Sequence, residues 1–70
     1  MKIHEYCRAW RKQQGLKQRE IAEMIGKEAY QISGFENGKR RGLKLLLAYI
    51  YAGMSIDASK ISREEVEKDD

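Results

Sequence analysis

Seventy residues with no proline, 41% hydrophobic and 36% charged, describe one small helix-compatible domain. A chain this short buries only about 60% of its unfolded surface, which excludes a cofactor fold or a two-lobed active site and favours self-association. Charge is uneven: residues 1–56 carry 11 basic and 5 acidic side chains and residues 57–70 carry 3 and 6, a basic body with an acidic tail suited to a polyanionic partner.

In chain order, Ile3, Tyr6, Cys7 and Trp10 fall at i, i+3, i+4 and i+7, which predicts a first helix ending near Gln14. Ile21, Ala22, Met24 and Ile25 form the apolar side of a short second helix that stops at Gly26. Ala29, Ile32 and Phe35 give a third its buried side. Leu43, Leu46, Leu47 and Ile50 repeat the first helix's spacing in a fourth and are read as its core face. That leaves Leu45, Tyr49 and Ala52, with Ile56, as a second apolar stripe and candidate association surface. In the tail, Ser62 and Glu65 make a capping box, with Ile61 and Val66 as its hydrophobic staple, so residues 57–70 are read either as a short fifth helix or as a frayed acidic end. The fold expected is an all-α bundle of four to five helices, its domain spanning residues 1–56.

The chemistry-bearing residues point away from catalysis. His4 and Cys7 share one helix face, but no second pair exists to complete a tetrahedral metal site. No nucleophile has a base and an orienting group, so no enzyme activity, cofactor or small-molecule substrate is expected. The longest apolar stretch, residues 45–52, is too short to cross a membrane, and no leader pattern is visible. A single cysteine fits a reducing cytoplasm.

The second and third helices, separated by Gly26-Lys27-Glu28, have the sequence form of a helix-turn-helix. The run from Gly15 through Gln18, Ile21-Ala22 and Gly26 to Ile32 and Phe35-Glu36-Asn37-Gly38-Lys39 resembles the phage repressor and Cro-like helix-turn-helix family of transcription regulators, over roughly residues 5–54. The resemblance implies that the third helix enters the DNA major groove, with Ala29, Tyr30, Gln31, Ser33 and Gly34 at base-reading positions. It further implies backbone contacts from Arg11, Gln18, Asn37, Lys39, Arg40 and Arg41, an Arg11–Glu36 ion pair, and a homodimer on a pseudo-palindromic operator. A repressor is the expected role.

Departures from the family pattern are informative. Lys17 and Glu28 stand where capping side chains are usual, and residues 29–35 contain no arginine or lysine, so direct guanine reading from that helix is not available. The alternative is a protein-interaction module on the same fold, such as an antitoxin component, an antirepressor or a partner-docking subunit, acting on a regulatory protein partner.

Overall fold

The computed structural model describes residues 1–61 as four helices, α1 (Ile3–Gln14), α2 (Gln18–Glu23), α3 (Ala29–Glu36) and α4 (Leu43–Tyr51), followed by a 3-10 turn at Ala58–Lys60. The tail capping box and Val66 lie outside the described residues, although Ile61 packs against the core.

None of the first three helices has a serine, threonine or aspartate at its start. The third helical residue substitutes in each: Glu5, Glu20 and Gln31 accept the N–H of Lys2, Lys17 and Glu28 at 3.0, 2.9 and 3.0 Å. Each bond is the returning half of a capping box and satisfies the N-cap's own N–H. The turn between α2 and α3 closes on Gly26, whose φ of +66° is cheap only for glycine. There the N–H of Lys27 reaches back to the Ala22 carbonyl at 2.9 Å, so α2 ends and the chain re-enters as α3 within five residues.

Ile3 and Cys7 from α1, Ile21 and Ala22 from α2, Ile32 and Phe35 from α3, and Leu45, Ala48 and Tyr49 from α4 form one core, closed below by Met54. The phase of α4 is therefore rotated from the sequence expectation: of the four residues expected on its core face, only Leu46 packs against the core. Leu45 and Tyr49 are buried and Ala52 packs against the core, while Leu43, Leu47, Ile50 and Tyr51 point outward, Leu43 and Tyr51 at 71% and 80% exposure. Leu45, Tyr49 and Ala52 are thus not an association surface of the folded protomer; of that set only Ile56 is exposed. The physical reason is polar: the Tyr49 hydroxyl donates to Glu36 at 2.5 Å and its ring lies 5.8 Å from that of Phe35, which fixes the rotation of α4.

Tyr6 ties the segment after α4 back onto α1. Its hydroxyl donates to the Ser55 carbonyl at 2.9 Å and accepts the Asp57 N–H at 3.1 Å.

Candidate nucleic-acid interface

Arg11, Gln18, Glu36 and Tyr49 come from four different helices and meet at one carboxylate. Arg11 donates to Glu36 through Nε at 2.7 Å and Nη2 at 3.0 Å, in a bidentate pair. Gln18 Nε2 adds a bond at 3.1 Å, and the Tyr49 hydroxyl adds the fourth. The Glu36 side chain is 1% exposed and that of Arg11 11%. Burial opposes charge on Glu36, but the bonds from Arg11, Tyr49 and Gln18 prevail and hold its carboxyl below the ordinary glutamate range. The same pairing raises Arg11, and burial, then the hydrogen bond to Glu36 and the charge of that carboxylate, push the Tyr49 hydroxyl up. Cys7, beside this network, is pushed up to about 12 by burial and then by Glu36, so its thiol is an inert core group.

This network locks the relation of α2 to α3. Ile32, Phe35 and Glu36 hold one side of α3 inside, so at 100° per residue Tyr30, Ser33, Gly34 and Asn37 fall on the opposite side. Tyr30 is 66% exposed at its centre. Ala29 lies at the margin, partly buried. Gln31 is placed differently from its sequence assignment: its side-chain oxygen caps the helix on the Glu28 N–H and it is half-buried. The signal was legible, since a glutamine three residues after the N-cap is a capping-box spacing.

Arg11 commits Nη1 to the Leu16 carbonyl at 2.8 Å besides its two bonds to Glu36, so it braces the end of α1 more than it faces solvent. Asn37 reaches Ser33 Oγ at 3.5 Å. Lys39, Arg40 and Arg41 are exposed on the turn leaving α3. Two bonds start that turn, from the Lys39 and Arg40 N–H groups to the Gly34 carbonyl at 2.9 and 3.1 Å. Gly38 has φ +76°, and a Cβ there would stand 3.0 Å from the His4 ring, so α1 and this turn touch at a position where any side chain would be strained and would press on His4. The site therefore consists of one helix face turned away from the core, with Tyr30 exposed and Ser33 and Gly34 half-buried, beside the cationic Lys39-Arg40-Arg41 turn.

Sequence reasoning missed the Tyr49 contribution, because the fourth helix was read in a different phase. It also missed the position of the Arg40 side chain, which crosses the outward face of α3: Cζ lies 5.6 Å from the Tyr30 ring centroid.

Among the described residues no three His, Cys, Asp or Glu side chains converge as metal ligands, and no helix is long and apolar enough to cross a membrane. Comparison with curated proteins and with solved structures returns no significant match. The helix-turn-helix family model matches residues 8–52, from the first helix through the fourth. The chain belongs to the XRE and lambda repressor-like helix-turn-helix family, and it is a DNA-binding regulator.

Proposed function

We propose that the protein is a sequence-specific repressor that binds a pseudo-palindromic operator as a homodimer, with α3 in the major groove. The observation that carries this reading is the outward face of α3, where Tyr30, Ser33 and Gly34 stand opposite the core and beside the Lys39-Arg40-Arg41 turn. Ala29, Tyr30, Ser33 and Gly34 approach base edges, while Gln31 fixes the first turn of the helix. Asn37, Lys39 and Arg41 bind phosphates. Arg11 and Gln18, joined through Glu36, hold the edge of α2 against the same strand.

Leu43, Leu47, Ile50 and Tyr51 repeat at i, i+4, i+7 and i+8 on the outer face of α4 and supply the surface on which a second copy packs. A twofold pair places its reading helices about 34 Å apart, one turn of DNA. A repressor of this kind acts by occupying a promoter, and its own concentration sets the response.

Selection from a random duplex library tests this reading. The expected product is an inverted repeat whose half-site centres are about 10 base pairs apart. Enrichment of a single half-site with no repeat contradicts the dimer, and no enrichment at all favours the protein-docking alternative, which the acidic Glu28 at the start of α3 also supports.

A further inference from the structure

We propose that Arg40 is the guanine-reading side chain of this protein, supplied to α3 from the turn that follows it. The assignment rests on the DNA-binding reading above and adds a specific base contact to it. Ala29–Glu36 contains neither arginine nor lysine, so the commonest direct contact to a base has no donor within the helix itself.

Three observations place Arg40 on that face. The Lys39 and Arg40 N–H groups both donate to the Gly34 carbonyl, which folds the chain back over the end of α3. Gly34 then leaves space that the arginine stem occupies: a Cβ on residue 34 would lie 3.4 Å from Arg40 Cβ and 3.6 Å from its Nε. One helical turn earlier, the guanidinium carbon stands 5.6 Å from the Tyr30 ring centroid, within cation–π range. The side chain therefore runs from Gly34 toward Tyr30 along the helix face opposite the core. Among the described residues no carboxylate pairs with it, so its planar fork remains available. Such a fork matches the N7 and O6 acceptors of guanine, and an aromatic ring beneath it limits its freedom before DNA arrives. Lysine, with the same charge, has neither the fork nor the stacking plane.

The test uses the full chain and the operator it selects from a random library. One G·C pair per half-site is expected to be strongly enriched. Replacing that guanine by 7-deazaguanine removes the N7 acceptor and is expected to weaken wild-type binding about 10- to 100-fold. Arg40→Lys is expected to lose the preference for that base pair by a similar factor, with affinity for random duplex kept within about threefold because the charge is unchanged. An Arg40→Lys variant with the same selected sequence, or a selected site without an enriched guanine, overturns the assignment while leaving DNA binding intact. A wild type that binds no duplex at low salt overturns the DNA-binding reading and this assignment with it.

Discussion

Glu36→Gln is expected to destabilise the domain by about 3–5 kcal/mol, the range for breaking a buried ion pair from one side. Against the roughly 4–10 kcal/mol that a chain of 70 residues holds, this lowers the midpoint of thermal unfolding by about 15 °C or more. The substitution is nearly isosteric, so its effect isolates chemistry from volume. All four hydrogen bonds at Glu36 arrive from donors: two from Arg11, one from Gln18 and one from Tyr49. A carboxamide turns one acceptor into a donor that faces another donor, and it leaves the guanidinium without a counter-charge. Tyr49→Phe removes one donor and keeps the carboxylate paired, so its smaller expected cost is about 1.5–3 kcal/mol. Circular dichroism melts of the three proteins check the order. An equal loss in Glu36→Gln and Tyr49→Phe contradicts the donor-only geometry.

The same carboxylate sets a pH dependence. Its folded pKa lies below the ordinary 4.5, so the stability it contributes is complete above that value and is lost as the pH falls through the depressed one. The gap between wild type and Glu36→Gln is therefore expected to be constant near neutrality and to narrow below about pH 4.5.

The second large effect concerns α4. Leu47→Glu combined with Tyr51→Lys is expected to weaken self-association by on the order of 100-fold, since both residues lie on the outward stripe proposed to be buried between copies. Operator affinity falls with it, because half-sites bound one at a time lose the linkage of the dimer. Thermal stability measured at concentrations where wild type is monomeric is expected to stay within about 1 kcal/mol, as surface changes do. Leu45→Glu is the contrasting variant: it buries a charge in the protomer core and is expected to unfold it. Sedimentation velocity separates the cases. Unchanged sedimentation of the Leu47→Glu, Tyr51→Lys variant removes the outer face of α4 from the interface.

Helix positions were legible in the sequence because apolar spacing and punctuating glycines act locally. Ile3, Cys7, Ile21, Ala22, Ile32 and Phe35 were read on the sides where they are buried. The rotation of α4 was not legible for a physical reason. Every residue of Leu43–Tyr51 except Lys44 is apolar or aromatic, so periodicity alone gives two nearly equivalent faces. What selects between them is the bond from Tyr49 to Glu36, thirteen residues away. The Arg11–Glu36 pair was legible through the family resemblance, whereas the inclusion of Tyr49 in it was not. Arg40 was assigned to the phosphate backbone by its place in a basic turn; its course over Gly34 depends on two turn hydrogen bonds that no residue pattern announces.

Salt dependence of binding to a random-sequence duplex tests most directly whether this basic face binds DNA. The logarithm of the association constant is expected to fall linearly with the logarithm of salt concentration, with a slope corresponding to several phosphates per protomer. Lys39→Ala and Arg41→Ala are each expected to reduce that slope by about one. Binding that is undetectable even at about 50 mM salt, or a slope near zero that neither substitution changes, contradicts the assignment of the Tyr30 and Lys39 face to DNA.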